Sequence, residues 1–261
     1  MLNPSAFFHE LCFGRFEVRR VRIRWQPGAR SRPPELAEAA RRFWQRETAG
    51  QSHLFNGRLC RLNDWQVHNG ELTLHLGLTD YQELLFSNAH TADLLARYGE
   101  AGLSRALGIS AVLVSRDQQV VLIERSHTVG ECPGALDVLG GHIHPEEHAT
   151  AGTPDPFRAI ADEILEEVGL TLRPNEKVTC FGLIETADTR KPELLFDVRC
   201  ERTAEEIVAA GANTRSNEIA RFLTVPNRKP ALLDFLTREQ ARLSPSALGV
   251  LWLYIRTLEE A

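Results

Sequence analysis

Sulfur chemistry is scarce in this sequence. Its 261 residues hold one methionine and five cysteines, and no two cysteines form a CxxC pair. Five scattered thiols (Cys12, Cys60, Cys132, Cys180 and Cys200) argue against a disulfide frame and a cysteine zinc site, and suit a reduced, cytoplasmic protein. Long apolar runs are missing as well: the longest, Ala247 to Ile255, covers nine residues, far below the ~20 that a bilayer needs. The N-terminus shows no basic stretch ahead of an apolar one, so no secretory signal is expected. Nor is there an excess of positive charge. Thirty basic against thirty-five acidic residues give −5, which argues against a general nucleic-acid binder. Repeats and low-complexity segments are also absent. With 43% hydrophobic and 25% charged residues, the chain reads as an ordinary globular protein that can bury a core.

Charge is unevenly placed. Residues 1–50 carry ten arginines and five glutamates, a net of +5, so the remaining 211 residues carry −10. Much of the basic excess lies in Phe16–Trp25, where Arg20, Arg22 and Arg24 alternate with Val21, Ile23 and Trp25, the period of a strand with one wet face. That face is either simply solvated or an anion-facing wall. A helix is expected from Glu35 to Thr48, followed by Gly50. Strands around Arg58–Trp65 and Glu71–Leu78 are joined through Asn69-Gly70, a hairpin signal. Thr79 and Thr91 are candidate caps for two short helices, the second ending at Gly99. Residues 1–108 thus read as a small α+β N-terminal domain. From 109 to 261, strands (Ile109–Ser115, Val120–Arg125, Ala135–Leu139, Val178–Glu185, Glu193–Arg199, Ile219–Val225) alternate with helices (Phe157–Val168, Ala204–Ala210, Pro245–Leu258). This order predicts a mixed α/β sheet covered on both faces.

The most informative segment is DEILEEVGL, Asp162–Leu170. Glu163, Glu166 and Glu167 fall on one helix face, where each like-charge pair costs roughly 0.2–0.5 kcal/mol. Glu166 and Glu167 also occupy the last turn, against the negative end of the helix dipole. A sequence selected for helix stability alone would place Lys or Arg there. A divalent cation turns the penalty into binding, because hard cations take carboxylate oxygens. Upstream, Gly140-Gly141 ends a strand, and glycine lets a backbone carbonyl approach a metal or phosphate closely.

Gly141, Glu147, Glu163, Ile164, Glu166, Glu167, Gly169 and Leu170 together resemble the box of the Nudix hydrolases. Two features depart from it. The spacer from His148 to Ala161 has fourteen residues rather than seven, and Asp162 occupies the position of the family's arginine, which helps orient the catalytic glutamate. The stretches HLFNGRLCRL, LTLHLGLTDYQELLFSN, ERSHTVGECPGALDVLGGH and LSPSALGVLWLYI further resemble the branch that hydrolyses UDP-glucose and UDP-galactose. The resemblance implies a Nudix α/β/α sandwich behind the small α+β unit. It also implies Mg²⁺-dependent hydrolysis of a nucleotide-sugar diphosphate to UMP and hexose 1-phosphate, with Mn²⁺ able to substitute. Glu163, Glu166, Glu167 and the Gly141 carbonyl are then the metal ligands, and Glu163 and Glu166 the catalytic carboxylates. A later-loop carboxylate, Glu185 or Glu193, is the alternative base.

Candidate substrate contacts are Arg125 and Ser126 for the diphosphate, Tyr81 and Asn88 for the base, His142 through a hydrogen bond, and Glu193. His142, His144 and His148 lack the spacing of a structural zinc site. Other expectations remain open: a Nudix hydrolase for another substrate such as ADP-ribose or a dinucleotide, a catalytically silent nucleotide-sugar-binding module, and an interaction scaffold, for which no exposed apolar stripe is visible. The expected partner is a small molecule, with neither nucleic acid nor membrane involved.

Overall fold

The computed structural model describes residues 6–28, 32–49, 55–214 and 217–258. Gly50, His53 and Leu54, which figured in the sequence reading, lie outside them. In chain order the first half holds β1 (Phe8–Phe16), β2 (Val21–Trp25), α1 (Pro34–Glu47), β3 (Arg58–His68), β4 (Glu71–Asp80), α2 (Tyr81–Ala89) and α3 (Thr91–Tyr98). Next come β5 (Gly108–Val114), β6 (Gln119–Arg125), β7 (Leu136–Asp137), β8 (Leu139–His142), β9 (Ala149–Thr150), β10 (Thr153–Pro154) and α4 (Pro156–Val168). The chain closes with β11 (Lys177–Thr186), β12 (Pro192–Arg199), α5 (Ala204–Gly211), β13 (Ile219–Pro226), α6 (Lys229–Glu239) and α7 (Pro245–Thr257).

The main sheet runs β1-β11-β12-β5-β6-β13, with β7 on β6 and β8 on β5. Only β12 and β5 are parallel neighbours, so the sheet is mixed. Alternation along β5 explains its two buried faces. Ile109, Ala111 and Leu113 join Ile160, Ile164 and Val168 of α4 and Ile207 of α5 in one core. Val112 and Val114 join Leu248, Leu251 and Tyr254 of α7 in the other. The result is an α/β/α sandwich, the architecture the resemblance implies.

The first half does not stop cleanly at residue 108. Its opening strand pairs with β11 inside the main sheet. Cys60, Leu62, Leu72, Leu74 and Leu76 of the small β2-β4-β3 sheet share one core with β5 and α4. The segment Phe8–Phe16 lacks a period-two pattern because two register shifts interrupt its pairing, and so it escaped the sequence reading. The strand expected from Phe16 is likewise broken by a 3₁₀ turn at Val18–Arg20, leaving Val21–Trp25. Arg22 there pairs with Glu71 at 3.2 Å, as befits a solvated face. Helix α2 is capped by Asp80, which accepts from the Glu83 amide at 2.8 Å. The hydroxyl of Thr79, the expected cap, is buried instead against Ser104 at 2.8 Å. Thr91 is the first residue of α3 rather than its cap, and its hydroxyl donates to the Ser87 carbonyl at 2.8 Å. Lys229–Glu239, unassigned from sequence, is helical.

Candidate active site

Local sequence positions the acidic helix. The Asp155 side chain caps α4 by accepting from the amides of Phe157 (2.9 Å) and Arg158 (3.2 Å), and Pro156 takes the first helical position. Such a cap contributes ~1 kcal/mol. At the other end Gly169 adopts the left-handed conformation, φ 70°, and its amide donates to Leu165. The long spacer is not extra helix. It forms the β9–β10 hairpin around Ala151-Gly152, closed where the Asp155 amide donates to the His148 carbonyl at 2.9 Å. The insertion therefore lies outside the acidic face and leaves its phase unchanged.

The buried side of α4 rests on β8, which places two of the three glutamates against strand backbone. Glu167 is 4% exposed, and its Oε2 accepts from the Gly140 amide at 3.0 Å. Glu163 accepts from the His142 backbone and lies so close to Gly141 that a Cβ there would overlap its carboxylate. A side chain at 141 would therefore displace the Glu163 carboxylate. Burial and the neighbouring charge of Glu166 raise the Glu163 carboxyl to about 8. Burial and Glu163 raise Glu167 well above the ordinary carboxylate range. Glu166 is exposed on the same helix.

Asp162 pairs with Arg158 at 3.4 Å, one turn back on α4, and Arg158 also donates to the Ala149 carbonyl at 2.8 Å. The cation near the glutamates comes from elsewhere. Arg125, at the end of β6, lies within electrostatic reach of Glu167 and Glu131, donates from Nε to the Glu131 carbonyl at 3.1 Å, and faces Asp137 at 3.6 Å.

A divalent cation fits this donor set. Every side-chain donor is a carboxylate oxygen, the preference of a hard ion rather than of zinc. Glu167 is buried and Glu163 half-buried, each beside like charge, which favours the charged form only once a cation is present. Among the described residues, no three acidic, histidine or cysteine side chains already converge into a cage.

The structure distributes the other expected contacts. Ser126 donates its amide to the Glu218 carbonyl at 2.6 Å, while its hydroxyl meets Thr128 at 2.9 Å. Tyr81 packs edge-on against Trp44 with its hydroxyl beside Gly130; burial and Glu131 push its phenol up to about 12. Asn88 donates from Nδ2 to Glu131 Oε1 at 3.0 Å. His142 lies 3.6 Å from Glu131 and stays neutral, since burial and Lys191 lower it to about 3. Glu193 is 3% exposed, accepts from the Ser110 hydroxyl at 2.6 Å, packs against Gly108 and lies 3.6 Å from the Lys191 ammonium. Glu185 is held by Arg105 at 2.8 Å and by Arg190, a buried ion cluster rather than a free base.

Three residues escaped the sequence reading. Glu218, just before β13, adds to the negative field on Glu163 and Glu167. Glu131 gathers Asn88, Lys191, His142 and Arg125. Lys191 donates to both Glu131 oxygens at 3.2 and 3.4 Å. No motif marks Glu218. Lysine is rare in the chain, three residues against twenty-seven arginines, and that rarity was the available signal for Lys191.

A sandwich in which one helix presses two glutamates onto a glycine strand, with a third beside them, resembles the arrangement of the Nudix hydrolases. Known proteins are similar to the chain. The chain is 28% identical to the uridine diphosphate glucose pyrophosphatase NUDT22 of Mus musculus, over 98% of its own length and 92% of the relative's. Identity to the Homo sapiens protein of the same name is 27%, over 90% and 87%. Identity to Nudix hydrolase 9 of Arabidopsis thaliana is 24%, over 67% and 66%. No family model matches the chain. Among solved structures, a MutT protein from Methanosarcina mazei aligns with TM-score 0.39 and 18% identity, over 59% of this chain and 94% of that one. An ADP compounds hydrolase aligns with TM-score 0.42 and 16% identity, over 59% and 73%.

Proposed function

We propose that this protein hydrolyses the diphosphate of UDP-glucose or UDP-galactose, giving UMP and hexose 1-phosphate, with Mg²⁺ held by Glu163, Glu166, Glu167 and the Gly141 carbonyl and Mn²⁺ able to replace it. The observation that carries the reading is the seating of Glu163 against Gly141 beside Glu166, with Glu167 anchored on the adjoining Gly140. Relatives named for UDP-glucose pyrophosphatase activity, alike over nearly the whole chain, support the substrate class.

When bound, the cation neutralises charge on the diphosphate as a P–O bond breaks. The protein's own residues supply orientation and proton transfer. Glu167 and Glu163 are fixed by backbone amides, so their carboxylates need little reorganisation. Glu166 projects into solvent from the same face and is the base that takes the proton of the attacking water. Arg125, backed by Asp137, offers its guanidinium to the phosphate oxygens, which suit its planar donors. The pairing of Asp162 with Arg158 leaves orientation of the glutamates to β8 and Arg125 instead of to a helix arginine.

Incubation with UDP-glucose and Mg²⁺, with a chelated control, tests this. UMP and glucose 1-phosphate should form in equal amounts in the metal sample alone. Binding of UDP-glucose in calorimetry without either product would identify a silent nucleotide-sugar-binding module instead.

A further inference from the structure

A cleft of about 410 Å³ lies between the N-terminal helices and the loops that precede β7 and β12. It is lined by, among others, Asn88, Thr128, Glu131, Thr186, Asp188 and Lys191. We propose that this cleft is the hexose subsite of the reaction above, with Lys191 and Glu131 reading the sugar hydroxyls; the assignment rests on the activity just proposed.

Position is the first argument. Glu131 forms one wall of the cleft, and Arg125 reaches both it and Glu167. A substrate whose diphosphate lies along the acidic helix therefore extends one of its two ends past Arg125 into the cleft.

Lining chemistry decides which end. A base is held by stacking on aromatic faces, yet Phe43 is the sole aromatic among the lining residues. The ring pair Tyr81–Trp44 lies outside the lining, and the Asn88 amide is already engaged by Glu131. The diphosphate itself is disfavoured by Glu131 and Asp188. A hexose is uncharged and each of its hydroxyls both donates and accepts. An ammonium bonded to the Glu131 carboxylate, with Glu193 3.6 Å behind it and threonine hydroxyls at the flank, offers both functions.

The pair is also held in place before any ligand arrives. Lys191 closes a turn in which the Thr186 amide donates to its carbonyl at 3.0 Å and its own amide donates to Thr186 Oγ1 at 3.2 Å. Neighbouring Arg190 bonds Glu100 of the N-terminal half at 3.0 Å, and Arg105 bonds Glu185 at 2.8 Å. The Lys191 side chain is only 12% exposed, so its placement owes little to solvent.

The test compares kcat/KM for three compounds: UDP-glucose, the methyl ester of UDP (same base and diphosphate, no sugar) and ADP-glucose. Lys191→Met should cut the advantage of UDP-glucose over the methyl ester about 10–100-fold, because a site built to bond hydroxyls discriminates strongly by them. Asp188→Ala changes an exposed rim residue, so folding is not at stake, and should cut the same ratio about 3–10-fold. An unchanged ratio in whichever variants fold, or an equal loss on both uridine compounds, overturns the assignment. So does a fall in the preference for UDP-glucose over ADP-glucose, which would put the base in the cleft. If the unaltered protein turns over none of the three, the activity reading fails first and this one falls with it.

Discussion

Replacing Glu163 by glutamine should stabilise the protein when metal is withheld. In the native state the carboxyl titrates at about 8, raised from 4.5 by burial and by Glu166. A raised carboxyl contributes its full stability below the unfolded value and loses it as pH climbs through the folded one. Between about 4.5 and 8 the native group keeps a proton that the unfolded chain has released, so stability falls by ~1.4 kcal/mol per pH unit. At pH 7 the accumulated loss is roughly 3 kcal/mol, reduced to roughly 2 because the carboxyl is only half-buried. Glutamine fills the same space without titrating. Glu163→Gln in a chelator should therefore melt about 4–8 °C higher than the unaltered protein at pH 7, with the gap closing near pH 4.5. Excess Mg²⁺ should reverse the order: at 100 times its Kd it adds ~2.7 kcal/mol to the native protein and little to the variant. Melting curves from pH 4.5 to 8, with and without Mg²⁺, check both halves. A variant no more stable than its parent at pH 7 in chelator would refute the burial argument. A variant that Mg²⁺ stabilises as well as its parent would remove Glu163 from the ligand set.

Other changes should separate chemistry from folding. Glu167→Gln keeps an oxygen for the Gly140 amide and should lower UDP-glucose turnover ~10²–10⁴-fold, with an unchanged circular dichroism spectrum; full Mg²⁺-dependent activity would discount its role. Gly141→Ala forces a methyl group into the Glu163 carboxylate and should cost ~1–3 kcal/mol in urea unfolding as well as most of the activity. Glu185→Ala removes one carboxylate from Arg105 and Arg190, both of which keep Glu100, and should lose ~1–3 kcal/mol of stability, while kcat of the folded fraction stays the same; a selective loss of kcat would restore Glu185 as a base.

Much of this protein was legible because its signals are local. Strand alternation at 109–125, the Asn69-Gly70 turn and the glycine closing α4 all depend on neighbours a few residues away. The three carboxylates share a face by helical period alone, and the electrostatic penalty of that arrangement needs no tertiary knowledge. Elements held by distant partners were hidden. Phe8–Phe16 becomes a strand only because β11 is there to pair with it. Thr79 turned out to be a buried hydroxyl partner of Ser104 rather than a cap, an outcome set by packing twenty-five residues away.

The sequence by itself determined that negative charge would crowd the last turns of α4, since spacing and residue type suffice for that. Tertiary structure alone decided how those charges are held. It put Glu167 on the Gly140 amide, brought Arg125 from β6 and Glu218 from the approach to β13, and withdrew Glu185 and Glu193 into buried partnerships. The physical reason is range. A helix fixes its own side chains within a few residues, whereas desolvation and ion pairing depend on whichever groups the fold delivers from elsewhere in the chain.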